Sequence, residues 1–575
     1  FLNGGLFECL DFKRKDATGK AVEKRYDGFS TKTKKQPVVP NFLFFGREQD
    51  LDITKDLEEK TVEDKETKEK KKKQVFVKVK GLIEILHSYK FTITENTPLE
   101  EEIALDPELL GKVFENLLAS YNPETRQNAR KLTGSFYTPR EVVDFMVDEA
   151  LKTYLTERLQ SLGKSSDPGE RELKIQQLFS PTETGNPFAE GAETESLIAA
   201  LSECKIMDPA CGSGAFPMGV LHRMVFLLQK LDPNNVGWKK QQLDRAQKDL
   251  EAVKKLDVDE IREKAVESAE LRIQYVEESF ANSRHELDYT RKLFLIQNCI
   301  FGMDVQVIAI QIAKLRFFIS LIVDQGNDDT KPNRNILSMP NLETKFVAAD
   351  SLVGFNKLTQ IITPDVQQIE DELRTIRSQI FFTRKYRHKK KLIEQEENKR
   401  QDLSTALIKN GFAGNTAHQI ASWNPFDAIH AAPFSDLEVM FGFKQNEGFD
   451  VVIGNPPYYQ IQKLAKTFKP DGLGNSIKYQ NTLEAQAYRT YASGSDLYVL
   501  FTERGLNWLR PKGVLSFITS NKWMRAKYGD KLRKLLLEDT KIDLLIDLAG
   551  QDIFETATVD TNILIFQKDK QPKQK

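Results

Sequence analysis

The apolar run Val451-Val452-Ile453 ends abruptly in Gly454-Asn455-Pro456-Pro457-Tyr458. A strand buried in a sheet cannot continue through two prolines, because neither has an N–H to donate to a neighbouring strand. The chain must leave the sheet there in a stiff, extended turn. A turn that only reversed the chain would rarely need Asn, two Pro and Tyr together.

Other short apolar runs show the same habit, each followed by a turn and then helical spacing. Cys204 to Met207 leads into a glycine-rich turn and a helix over Ala215 to Leu228. Ile300 to Met303 leads to Asp304 and a helix through Leu315. Phe346 to Ala348, Asp450 to Ile453 and Val514 to Thr519 read as further strands, and Ile542 to Ile546 is placed to pair with Ile563 to Phe566. Strands alternating with helices predict an α/β sheet covered by helices on both faces. Ligands of such sheets bind outside the carboxyl ends of the strands. Every motif described below falls at such an end.

Two segments interrupt this alternation. From Leu243 to Phe280, apolar residues recur at gaps of three and four, as in a helix pair with charged outer faces. Val366, Ile369, Leu373, Ile376 and Ile380 repeat the pattern and run into Arg384-Lys385-Tyr386-Arg387-His388-Lys389-Lys390-Lys391. That run suits either a phosphate-tracking surface or the tip of a solvated helical hairpin. The helical insertions are therefore expected at about 231–290 and 360–412.

Nearer the start, residues 57–74 hold 13 charged side chains in 18 positions, six acidic and seven basic. Such a stretch buries too little apolar surface to offset its ordering entropy, so a mobile charged loop is expected. Asp106 to Leu118 reads as a helix, with Asp106 at the N-cap and Pro107 at the first helical position.

Composition excludes several classes. The 575 residues carry 83 Lys+Arg against 84 Asp+Glu, so no global basic footprint marks a nucleic-acid binder. With 40% hydrophobic residues, global disorder is excluded. No apolar run approaches the roughly 20 residues that span a bilayer. Cys9, Cys204, Cys211 and Cys299 form no Cys-x-x-Cys pair, which argues against a disulfide scaffold or thiolate zinc site. A cytoplasmic protein without a metal is the expectation. The missing initial Met and the polar tail read as a fragment of a longer protein.

Three strings carry the chemistry. The first is Asp208-Pro209-Ala210-Cys211-Gly212-Ser213-Gly214, directly after a strand. Its glycines let the backbone turn tightly and approach a ligand. The second is Asn455-Pro456-Pro457-Tyr458. The amide carbonyl of Asn455 and the carbonyl of Pro456 can accept both N–H bonds of an exocyclic amine, while Pro457 stiffens the turn. Tyr458 offers a face on which a base can stack. The third is Tyr137-Thr138-Pro139, with Thr138 at a helix N-cap and Pro139 at the first helical position.

These strings, in this order, resemble the γ-class DNA adenine methyltransferases, above all the methylase portion of type IIG restriction–modification enzymes. The resemblance runs from about Asn3 to Gln567 and is strongest over 131–225 and 423–460. It implies a Rossmann-like S-adenosylmethionine-dependent methyltransferase domain over 131–575, preceded by a helical connector domain over 1–130. It implies methyl transfer from S-adenosylmethionine to the adenine amine in double-stranded DNA, with the target base flipped out of the duplex. Asn455, Pro456, Pro457 and Tyr458 are then the catalytic residues. Tyr137, Thr138, Pro139, Asp208, Pro209, Ala210, Gly212 and Gly214 line the cofactor. Asp304 is expected at the ribose hydroxyls, Asp350 with Ser351 at the cofactor's adenine, and Phe501 as an apolar wall. Phe554 joins Tyr458 around the flipped base.

A fused nuclease and a target-recognition domain are expected in the full-length protein, so this chain alone is expected to bind DNA weakly. The 96 residues from Asp208 to Asp304 far exceed the roughly 20 of a minimal fold, and the first insertion accounts for the excess. Rival readings are a modification subunit of a multi-subunit restriction or BREX-type phage-defence system, a protein or RNA methyltransferase with the same Asn-Pro-Pro-Tyr site, and a non-catalytic methylase-like scaffold. Long insertions favour DNA over the compact protein and RNA enzymes, and the intact strings argue against a decayed scaffold.

Overall fold

The structure is a computed structural model. It describes six short strands between residues 12 and 79, and residues 138–569 apart from 162–166, 189–190, 255–258, 282–286, 326–339, 355–362, 383–385, 412–413, 428, 445–446, 471–475, 552 and 555–558.

The sheet has seven strands: β1 (Ile206–Asp208), β2 (Ile300–Asp304), β3 (Phe346–Ala348), β4 (Phe449–Gly454), β5 (Leu509–Ser520), β6 (Lys541–Asp547) and β7 (Thr561–Gln567). Their spatial order is β6-β7-β5-β4-β1-β2-β3. Strands β3, β2, β1, β4 and β5 are parallel neighbours, and β7 alone runs antiparallel between β5 and β6. The expected pairing of Ile542–Ile546 with Ile563–Phe566 is thus present.

The period-2 geometry of a strand divides each apolar run between the sheet's two faces. Ile206, Val451, Ile453, Val514 and Ile518 enter one core cluster; Met207, Val452, Leu515 and Phe517 enter the other. Runs apolar at successive positions are what a sheet covered on both sides requires.

The helices used below are α1 (Arg140–Ser161), α2 (Ala192–Glu203), α3 (Ala215–Leu231), α4 (Val236–Val253), α5 (Asp259–Ala281), α6 (Leu287–Asn298), α7 (Val307–Val323), α8 (Pro364–Phe382), α9 (Tyr386–Lys409), α10 (Leu497–Trp508) and α11 (Asp530–Asp539). Residues of α1, α2, α3, α6 and α7 build the first cluster; residues of α8, α9, α10 and α11 build the second. Between residues 231 and 290 stand the packed pair α4 and α5, and between 360 and 412 the packed pair α8 and α9. The second pair holds a buried charge triad. Glu396 accepts from Arg377 at 2.7 Å and from Arg400 at 2.8 Å, and all three side chains are buried.

Residues 4–106 form a separate unit. A helical connector is expected over 1–130; the described residues of this unit are all strands, and the rest of that range lies outside the described residues. Phe12–Lys15 pairs with Ala21–Lys24, and Gln49–Asp52 pairs with Phe76–Val79. The charged loop over 57–74 is corrected, because Thr61–Glu63 pairs antiparallel with Lys70–Lys72. Composition alone missed the register, which sets Glu63 opposite Lys70, an opposite-sign cross-strand pair. The helix expected over 106–118 lies outside the described residues.

Candidate active site at the carboxyl ends of the strands

The chain turns toward β2 and β3 after β1, but toward β5 after β4. Beyond the carboxyl ends of such a diverging pair, the connections move apart and leave a crevice. Asp208 closes β1 and Asn455 follows β4, so both principal strings face this crevice.

The glycine-rich loop is held on all sides. Asp208 is buried, and its Oδ1 accepts from the Ala210 N–H at 3.0 Å. Gly212 and Gly214 have φ of 53° and 88°, the left-handed region where a side chain is strained. The Cys211 N–H bonds the Met303 carbonyl at 2.9 Å, tying the loop to β2. From α7, the buried Arg316 donates to the Ser213 carbonyl at 3.0 Å. Ser351 donates its hydroxyl to the Pro209 carbonyl at 2.6 Å, so this residue, expected on the cofactor, also fastens the loop. The backbone leaves the loop into the N-terminus of α3, where unpaired N–H groups favour electron-rich ligands.

Across the crevice, a β-carbon on Gly454 would stand 2.6 Å from Asp208 Oδ1. Only glycine lets β4 pass so close to the acidic end of β1. Asn455 donates from Nδ2 to Thr138 Oγ1 at 3.1 Å, joining strings 317 residues apart. Thr138 is buried, and the Pro139 carbonyl accepts from the Val142 and Val143 N–H groups of α1. Tyr137 lies outside the described residues. Tyr458 donates its hydroxyl to the Ile518 carbonyl at 3.1 Å, and burial pushes its phenol well above the usual range. Its ring meets Phe554 edge-on, with centroids 6.3 Å apart. The two aromatics expected around a base are thus brought together and pack on each other.

The acidic residues divide differently. Asp304 ends β2 and accepts from the Gly212 N–H at 3.0 Å and the Gln306 N–H at 2.8 Å. Burial raises its carboxyl pKa despite these bonds. Asp350 is buried beyond β3, with Lys469 Nζ on Oδ2 at 2.6 Å and the Tyr479 hydroxyl on Oδ1 at 2.9 Å. Phe501 on α10 is buried in the same apolar cluster as Ala349 and Leu352.

Lys469, Tyr479 and Arg316 were not singled out from the sequence. The first two stand 119 and 129 residues from Asp350, with no local signal. Arg316 did carry one, being a guanidinium inside the mostly apolar helix α7, which also holds Lys314. Among the described residues no cluster of His, Cys, Asp and Glu fits a metal ion, and no helix is long and apolar enough to cross a membrane.

The chain is similar to proteins of restriction–modification systems. Residues 298–554 match the family described as Eco57I restriction-modification methylase. RM.MjaORFECS2P of Methanocaldococcus jannaschii is 25% identical over 555 residues, covering 86% of this chain and 40% of that protein. The type II restriction enzyme and methyltransferase RM.Eco57I of Escherichia coli is 30% identical over 124 residues, 22% of this chain and 12% of its own length. The type II methyltransferase M.BstVI of Geobacillus stearothermophilus is 36% identical over 107 residues, 19% of this chain and 17% of its own length. The chain therefore spans less than half the length of each of these relatives. The segment that matches the Eco57I restriction-modification methylase family, from Asn298 to Phe554, holds Asp304, Asp350, Asn455 and Phe554.

Proposed function

We propose that the chain transfers a methyl group from S-adenosylmethionine to the exocyclic amine of adenine in double-stranded DNA, as the modifying part of a restriction–modification enzyme. One observation carries this reading: Asn455, held by Thr138, stands at the end of β4 immediately beside the Asp208–Gly214 loop at the end of β1.

The residues present fit the cofactor. The glycine turns and the close approach at Gly454 keep a backbone-lined cradle open where side chains would fill it. Thr138, Pro139, Asp208, Ala210, Gly212 and Gly214 line its methionine side. Asp304 retains acceptor capacity for ribose hydroxyls, since each carboxylate oxygen offers two lone pairs. Asp350 and Phe501 take the adenine end. When bound, S-adenosylmethionine supplies an electrophilic methyl group on a sulfonium centre.

The amine of adenine is a poor nucleophile because its lone pair is delocalised into the ring. The Asn455 and Pro456 carbonyls accept its two N–H bonds and draw the nitrogen toward a tetrahedral geometry. Two prolines hold those acceptors in place before the target arrives, so little reorganisation remains for the reaction. Tyr458 keeps its proton, because burial opposes the phenolate, and its bond to the Ile518 carbonyl fixes the ring plane. For a flipped base to enter between Tyr458 and Phe554, their edge-on contact must open. No dedicated base is needed, because the amine becomes acidic once alkylated.

Asn455→Ala tests the reading. Tritiated methyl incorporation into duplex DNA is expected to fall by on the order of 10²–10³-fold or more, as when a designed polar contact to a transition state is removed. Cofactor affinity by calorimetry is expected to stay nearly unchanged. Equal loss of both would remove Asn455 from the chemistry, and label on RNA or protein instead of adenine would overturn the substrate.

A further inference from the structure

A basic surface stands beside this site that the overall charge balance conceals. After β5 the chain makes two turns of 3-10 helix, Asn521–Met524 and Lys527–Gly529, before α11 begins. Residues 521–534 contain Lys522, Arg525, Lys527, Lys531, Arg533 and Lys534, with Asp530 the one acid. Three of the cations already have partners within the chain. Arg533 donates to the Trp523 and Ala526 carbonyls and pairs with Asp530. Lys531 reaches the Tyr491 carbonyl at 2.8 Å, and Lys534 stands 3.8 Å from Glu538. Lys522, Arg525 and Lys527 are exposed and make no ion pair among the described residues. The nearby Asp547 is taken by the Asn521 amide at 2.9 Å.

The backbone beneath these three cations is rigidly built. Trp523 is buried and donates its indole N–H to Asn562 at 3.1 Å. The Ala526 N–H closes back on the Lys522 carbonyl at 2.9 Å. A β-carbon at Gly529 would overlap the Trp523 carbonyl, so the turn folds tightly onto itself. The loop is also wired to the site. Tyr528 donates to Asp496 at 3.1 Å and bonds the Tyr498 hydroxyl at 2.9 Å. The Tyr498 ring packs edge-on against Tyr458, with centroids 5.9 Å apart.

We infer that Lys522, Arg525 and Lys527 form a preorganised contact for the DNA phosphodiester backbone flanking the flipped adenine. The inference rests on the methylation reading above and adds the surface that positions the duplex. Three exposed cations without an ion pair on a clamped loop are complementary in charge to a phosphate chain. Their place directly after β5, beside the Tyr458 pocket, is where the backbone on either side of an extruded nucleotide has to run. Contacts of this kind set position and carry little sequence information.

The test is duplex binding across a salt series, by fluorescence anisotropy, for the unaltered chain and the triple variant K522Q/R525Q/K527Q. Each lost phosphate contact lowers the slope of log affinity against log salt by about 0.9, so a drop of about 2–3 is expected. Affinity at low salt is expected to fall by about 10–100-fold, with cofactor affinity and melting temperature unchanged. A variant with the same slope as the unaltered chain overturns the inference. If the unaltered chain still methylates duplex adenine in that case, only this inference fails. If it neither methylates nor binds duplex, both fail. Tighter binding of RNA than of DNA, lost in the variant, would reassign the surface.

Discussion

Two segments carry six Lys and Arg each, one within 384–391 and one within 521–534, and only the second stands beside the chemistry. The run from Arg384 to Lys391 is contiguous and conspicuous in the sequence. Its described part opens α9 in the insertion hairpin, where Lys389 is buried and adds to the burial that lowers the Lys314 ammonium pKa. Near the end of α8, the Ile380 carbonyl accepts from Asn341, just ahead of β3. That is the amino end of the sheet. The cations of 521–534 are spaced along the chain and less visible, yet they follow the carboxyl end of β5 beside Tyr458 and Tyr498. Density of charge in a sequence says how a segment is solvated. Its place relative to the strand ends says whether it can meet a ligand.

The contrast can be broken in three ways. The largest effect is expected from Glu396→Ala in the hairpin, which leaves the Arg377 and Arg400 guanidiniums buried without their carboxylate. Removing one member of a buried ion pair costs about 3–5 kcal/mol. Thermal melting should show that loss, while cofactor affinity of the folded protein stays the same; parallel loss of affinity would tie the hairpin to the site.

An intermediate effect is expected in the pH dependence of stability. Lys345, immediately before β3, has its ammonium pushed down to about 7 by burial, helped by Arg245 and Lys205. Between that value and the ordinary lysine range, the unfolded chain binds a proton that the folded chain does not. Its contribution therefore makes stability rise with pH over that window. Lys345→Met should flatten this rise in denaturant titrations repeated from pH 7 to pH 10. An unchanged profile would show that the ammonium is accommodated in the fold.

The smallest effect is expected from Lys391→Gln, exposed on α9. The salt slope of duplex binding should match that of the unaltered chain. A lowered slope would make the hairpin a DNA surface and erase the difference between the two segments.

Much of the site was legible because its parts are local. Asp208 to Gly214 and Asn455 to Tyr458 each combine a strand end with a turn whose geometry their own residues dictate. Asp304, Asp350 and Phe554 were legible only as positions matched to a resemblance, and their bonds were not. Asp350 meets Lys469 and Tyr479, and Ser351 secures Pro209, through contacts closed by the tertiary fold. The strand pairs within residues 12–79 were missed because a charged composition hides register, which depends on which residues face each other across the pair.

By itself, then, the sequence determined where strands must end, which turns glycine and proline enforce, and which residues could hold an amine at such a turn. These are properties of a few adjacent residues and of backbone sterics. Only the tertiary structure decided that β4 lies against β1, that Thr138 holds Asn455, and which basic segment stands beside the site. Those outcomes depend on contacts between residues hundreds of positions apart, made when the apolar faces of the sheet are buried together.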